Sequence, residues 1–166
     1  MEAVVQWFTS TLGQYISREA CVFIISMLPI LELRGGLLAA SILKLSIVKA
    51  IPLCIIGNIV PIPFILLFIK KIFHWLKRFK PFKKPVEKIE AHAMKRSDKV
   101  SNGEFVGLML FVGIPLPGTG AWTGSLIAAL LDIDFKKAIL AELCGIAIAT
   151  VIMSIISYGL LGVIMH

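Results

Sequence analysis

Apolar residues fill four stretches of this chain, and two of the four are interrupted near the middle. One runs from Ala20 to Leu43 and is cut by Pro29, with Glu32, Arg34, Gly35 and Gly36 close behind. Another runs from Phe105 to Leu131 and is cut by Pro115-Leu116-Pro117-Gly118-Thr119-Gly120. Proline removes an amide donor and collides with the preceding turn, so each of these stretches is expected to form two half-helices. In the first, halves of about 9 and 13 residues would reach only about 14 and 20 Å, short of the roughly 30 Å hydrocarbon core of a bilayer. The stretch from Ser46 to Ile69 is long enough to cross, with Pro52, Pro61 and Pro63 expected to kink it. Ala138 to Met165 contains no proline and can span outright. Ahead of them all, residues 4 to 16 place Val4, Val5, Phe8, Leu12, Tyr15 and Ile16 on one helical face and polar residues on the other, the pattern of a helix lying in the membrane interface.

The two broken stretches are copies. Residues 23 to 57 laid on 111 to 145 match without a gap at 11 of 35 positions, 88 residues apart. Leucine and alanine matches are expected from so apolar a chain, but Pro29/Pro117, Gly36/Gly124, Gly57/Gly145 and Lys49/Lys137 are not. Short Pro/Gly-interrupted segments at corresponding places in two repeats point to the binding site of a transporter.

Two topologies fit. If each broken stretch is a re-entrant hairpin, one crossing separates the copies and the repeats are inverted across the membrane. If each broken stretch spans, the protein is a four-helix bundle with parallel repeats. The hairpin arrangement is the expected one, because irregular backbone at membrane depth is tolerated where protein or a wet cavity covers it. The fold expected is therefore all-α and integral to the membrane, a single domain in which repeat 1 covers about 18–69 and repeat 2 about 104–166.

Composition agrees. With 58% hydrophobic and 16% charged residues and a mean hydropathy of +0.92, the chain suits a bilayer. No cleavable signal peptide is expected, since Glu2 replaces a basic start and Thr9, Ser10, Gly13 and Gln14 interrupt any apolar core. The net charge of +7 is concentrated: eleven of seventeen Lys/Arg lie between Lys70 and Lys99. Such a block beside a span marks a cytoplasmic loop, 70–103, rather than a nucleic-acid surface. Within it Ile69, Ile72, Phe73, Leu76 and Phe79 recur at helical spacing among lysines, suggesting a helix on an anionic leaflet that Pro81 and Pro85 end, or else an ordinary loop. Cys21, Cys54 and Cys144 lie in apolar runs at no metal-like spacing and read as small buried hydrophobes.

The candidate chemistry sits at the breaks. Glu32 and Arg34 follow Pro29, where a charge is costly and marks function by default. Arg34 could meet an anionic headgroup while Glu32 takes a proton or positions Arg34; the alternative is a structural pair that fixes the hairpin against the rest of the protein. In the second break Gly118, Thr119 and Gly120 would expose amides at the start of a half-helix beside Trp122 and Thr123, a natural seat for phosphate or carboxylate. On the repeat register Glu32 corresponds to Gly120 and Arg34 to Trp122. Glu142, about five residues inside the last span, is a second candidate for proton coupling or else reaches a wet interface. Asn58 is expected to bond between helices, and Asp132, Asp134, Lys136 and Lys137 to form a polar turn. His74, His92 and His166 are scattered, and no nucleophile motif, catalytic residue or metal spacing is present, so an enzyme, a cofactor or a metal is not expected.

The runs Leu28-Pro29-Ile30-Leu31-Glu32-Leu33-Arg34-Gly35-Gly36 and Pro115 to Gly124 resemble the family of putative small multidrug export proteins. That family is similar in layout to the DedA and VTT membrane proteins, whose fold is two inverted re-entrant hairpins flanked by spanning helices and whose members move lipids. The resemblance implies a small bacterial or archaeal cell-membrane transporter of an amphipathic substrate, with an anionic lipid such as undecaprenyl or another polyprenyl phosphate favoured. Arg34 and the 118–120 backbone would hold the phosphate, and Trp122 would contact the tail. The rivals are a proton-coupled exporter of cationic hydrophobic compounds, using Glu32 or Glu142, and a non-transporting scaffold whose basic loop binds lipid or a partner. With so few elements, a homodimer is expected to complete the path.

Overall fold

The computed structural model describes residue 6, residues 16–95 and residues 103–160. Most of the helix expected over 4–16 lies outside these residues, and so does the part of the basic loop from 96 to 102. Among the described residues the structure is helical, with no strand.

The first broken stretch forms α1 (Arg18–Met27) and α2 (Glu32–Ile42). Ser17 starts α1, its hydroxyl accepting from the Ala20 amide at 3.2 Å, which satisfies one of the donors a helix start leaves open. Pro29 then denies the α conformation to Leu28, which turns extended at ψ 137°. The chain folds back on itself: Arg18, at the start of α1, donates to the Leu43 carbonyl at the end of α2 (3.3 Å).

One spanning-length element comes next, built from two helices. Helices α3 (Ile47–Ile59) and α4 (Pro61–Leu76) run on through Val60, which keeps helical angles (φ −51°, ψ −47°). Pro61 can stand there because the first residues of a helix need no amide partner. Together Ile47–Leu76 make 30 largely apolar residues, about 45 Å of helix. The expected interfacial helix over 69–80 is corrected: its first half is the end of α4, and the amphipathic helix is α5 (Lys80–Met94). Pro81 does not end a helix but opens one, for the reason just given, and Pro85 sits within it. Glu90 of α5 pairs with Lys77 at 2.5 Å.

The second broken stretch forms α6 (Glu104–Gly113) and α7 (Ala121–Leu130). The last is α8 (Phe135–Ser154), ending in a π-helical turn over Ile155–Leu160. The polar turn before α8 is as expected: Asp134 accepts from the amides of Lys136 and Lys137, both at 3.1 Å. Asp132 adds an ion pair with Lys70 at 2.6 Å.

The 88-residue register reaches the backbone. Lys44 and Asp132 both hold left-handed φ, 54° and 56°. The next amide bonds back five residues in each case, Leu45 to Ala40 (2.9 Å) and Ile133 to Ala128 (3.0 Å), the 6→1 closure of a helix end. Lys49 pairs with Glu19 (4.0 Å) and its counterpart Lys137 with Glu104 (2.6 Å), tying the start of each first half-helix to the start of the long helix that follows.

Small residues set the packing. A methyl group at Gly57 would lie 2.8 Å from the Phe23 carbonyl, and one at Gly145 2.7 Å from the Met109 carbonyl. Thus α3 rests against α1, and α8 against α6, backbone to backbone. The outward faces stay apolar: Phe64, Leu67 and Trp75 on α4, Val48 on α3, and Leu140 and Val151 on α8 are exposed. Such faces suit lipid, and Ile47–Leu76 and Phe135–Gly159 are long and apolar enough to cross a bilayer. Cys21 and Cys54 are buried as expected, whereas Cys144 is exposed, because it lies on the outer face of α8.

Candidate functional site

The two breaks interlock. Leu28–Leu31 separates α1 from α2, and residues 114 to 120 separate α6 from α7. Their outermost side chains are apolar and exposed, Ile30 at 84% and Ile114 and Leu116 at nearly half. Ile30 also carries φ 78°, a conformation that a β-branched residue rarely adopts. Below these tips lie the charges, Glu32 at 4% exposure and Arg34 at 6%.

Three of the four interrupted helix ends, the ends of α1 and α6 and the start of α7, meet a side chain from the opposite break. Glu32 accepts from the Ala121 and Trp122 amides through its two oxygens, each at 3.1 Å. Its carboxylate therefore fills the head of α7, where unpaired amides and the helix dipole favour an anion. Gly120 makes the approach possible, since any Cβ there would overlap Glu32 Oε2 and its φ of 131° suits glycine. Arg34 donates to the Leu116 carbonyl at 2.7 Å, to Ile114 at 3.3 Å and to the Thr119 hydroxyl at 2.9 Å. Trp122 returns the favour, its indole donating to the Met27 carbonyl at 3.0 Å.

Of the residues singled out at the two breaks, five come together through contacts between the breaks. Glu32, Arg34, Thr119, Gly120 and Trp122 form one cluster. The amides at the head of α7, read from the sequence as a seat for phosphate or carboxylate, are engaged by the protein's own Glu32, whose buried carboxylate would be expensive without them. Gly118 lies on the exposed rim of the break at φ 76°. Thr123 faces away, lining a pocket against α5.

Beside this interlock is a second acidic group. Glu142 is wholly buried on α8. One carboxyl oxygen accepts from the Ser125 hydroxyl at 2.9 Å, and the other has no hydrogen-bond partner among the described residues. It rests near Gly124, the repeat counterpart of Gly36, against which Cys54 rests in the first repeat. No Lys or Arg pairs with Glu142 among the described residues. Ser125 was not anticipated, since a serine on an apolar helix carries no signal until the facing helix is known. The bond expected between helices at Asn58 is also not seen for its side-chain oxygen, which is buried without a partner among the described residues.

Residues 32–152 match the family model for putative small multi-drug export protein. The chain belongs to this family. The matched span begins at Glu32 and takes in both members of the buried pair, the whole second break and Glu142. Membership, with two helices of spanning length and apolar character, makes this a membrane protein of the small multidrug export type. No curated protein and no solved structure matches the chain.

Proposed function

We propose that the protein exports hydrophobic organic cations in exchange for protons, with Glu142 holding one or the other in turn. The observation that carries this reading is a carboxyl group at 0% exposure on a long apolar helix, bonded on one oxygen to Ser125 and unpartnered on the other. A carboxylate taken out of water is costly unless something neutralises it, and a proton or an entering cation can do so. Binding of the cation to the carboxylate sends the proton to water; return of a proton releases the cation. Competition for one carboxyl couples the two flows.

On this reading the broken stretches are re-entrant hairpins, inverted about the bilayer midplane in the layout that the DedA-like resemblance implies. Support comes from the ends of each stretch returning to one level, Arg18 at Leu43 and Glu104 at Lys137. The basic segment would face the cytoplasm of a bacterial or archaeal cell, and a second copy would complete the enclosure. An anionic lipid such as a polyprenyl phosphate is less well served, since it would have to displace Glu32 from α7 and free Arg34 from three acceptors.

The test is transport in proteoliposomes under an imposed pH gradient, with tetraphenylphosphonium and ethidium as cations and a fluorescent polyprenyl phosphate as the anionic lipid. The parent should move the cations in a gradient-dependent way, and Glu142→Gln should not. Parent-like cation transport by Glu142→Gln, or a parent that moves only the lipid, would overturn the reading.

A further inference from the structure

Away from the interlock, an open pocket of about 460 Å³ lies between α5 and α7, within the size range of sites for small amphiphilic ligands. Pro85, Ile89 and Ala93 of α5 and Leu126 of α7 give it apolar walls, while Lys88 and His92 stand one turn apart at its edge. Both are exposed, and neither forms an ion pair among the described residues. The rest of α5 adds Lys80, Lys83 and Lys84, and of its acidic residues Glu90 is already engaged by Lys77. An apolar slot with a cationic rim matches an amphiphile with one acidic end.

We propose that this pocket binds an anionic phospholipid, its phosphate at Lys88 and His92 and an acyl chain along Ile89, Ala93 and Leu126. The physical case is complementarity on two counts. Apolar surface left open between two helices is covered by the chain, and the phosphate meets an ammonium and an imidazole donor placed side by side. A zwitterionic lipid would cover the same walls but gain less at Lys88, because its own cation competes for the phosphate. A soluble phosphate would gain the charge and leave the slot empty. The site is separate from Glu142, so the proposal stands or falls independently of cation export.

Native mass spectrometry of the purified protein, loaded with phosphatidylglycerol or phosphatidylcholine of matched chains, tests it. The parent should retain phosphatidylglycerol about tenfold better, the scale of one charge-assisted contact. Lys88→Glu should bring the two lipids level, and Leu126→Trp should lower retention of both by filling the slot with every charge in place. Lys83→Glu makes the same change of charge on the same helix outside the pocket, and should keep the preference. No preference in the parent, retention of the preference by Lys88→Glu, unchanged binding in Leu126→Trp, or equal loss in Lys83→Glu would each overturn the proposal. The last would mean that diffuse charge, not the pocket, selects the lipid. Thermal unfolding of each variant checks that it is folded, and Lys88→Glu, on an exposed side chain, decides the matter should Leu126→Trp fail to fold.

Discussion

Arg34 and Trp122 stand at equivalent places in the two repeats, 88 residues apart, and each reaches across to bond the carbonyl end of the other repeat's first half-helix. Arginine serves Ile114 and Leu116 at the end of α6; tryptophan serves Met27 at the end of α1. The pair performs one task with two chemistries. Only the arginine side carries charge, and beside it Glu32 neutralises that charge while capping α7.

Removing Arg34 should therefore unfold the interlock before it affects any ligand. Arg34→Ala removes the charged donor that bridges the Ile114 and Leu116 carbonyls and the Thr119 hydroxyl, leaving the carbonyls only their local bonds to Leu116 and Thr119, and should cost about 3 kcal/mol. Arg34→Lys should recover part of this, since an ammonium on a flexible stem cannot match the planar fork. Trp122→Phe loses one neutral hydrogen bond and should cost about 1 kcal/mol. Denaturant unfolding in detergent ranks the three, and a parent-like midpoint for Arg34→Ala would show that the arginine is not holding the breaks together.

Gly120 and Glu32 should be strongly coupled. Gly120→Ala puts a methyl group onto Glu32 Oε2 in a backbone conformation that disfavours side chains, so it should be among the most damaging single changes. In Glu32→Ala the space is free, and adding Gly120→Ala should then cost much less. A double-mutant cycle measures the difference, and additivity within about 0.5 kcal/mol would mean that the two do not share the site as described.

The glycine contacts of the long helices make a simpler test. Gly145→Ala brings its methyl against the Met109 carbonyl and Val112, which are backbone and packed side chain, and should destabilise by about 1–3 kcal/mol. Gly103→Ala meets nothing within 4 Å and should be close to neutral. Equal midpoints for both proteins would remove the close approach of α6 and α8 from the account.

Topology can be read by labelling single cysteines, placed in a background with Cys21, Cys54 and Cys144 replaced, from the two faces of a sealed vesicle. Lys44 and Asp132 close matching turns in the two repeats, yet Asp132 pairs with Lys70 at the far end of the helix that begins beside Lys44. Lys44→Cys and Asp132→Cys should thus react from opposite sides. Reaction from one side would dismiss the inverted hairpins in favour of parallel repeats.

Much of this was legible from the chain. Pro29 and the Pro115–Gly120 run located both breaks, because an absent amide donor acts locally whatever surrounds it. The coincidence of Lys49 with Lys137 and Gly57 with Gly145 announced a repeat that recurs in turns and ion pairs alike. Pro81 misled for an equally local reason: proline breaks a helix interior but is welcome in its first turn, and the sequence does not say where that turn begins.

The sequence by itself determined the apolar helical stretches, where two of them break and that Glu32 and Arg34 stand at a break where charge is costly; it left open the depth of Glu142 and missed α5. What only the tertiary structure decided is who neutralises them. Glu32 and the Trp122 amide are 90 residues apart, as are Arg34 and Leu116 by 82, and no local pattern encodes such pairings. The interlock of the two breaks brings the ends of α1 and α6 and the start of α7 to side chains of the opposite break, so that Glu32 and Arg34 are engaged there, chiefly by backbone. Glu142 is left as the buried carboxyl group whose second oxygen the described fold does not satisfy.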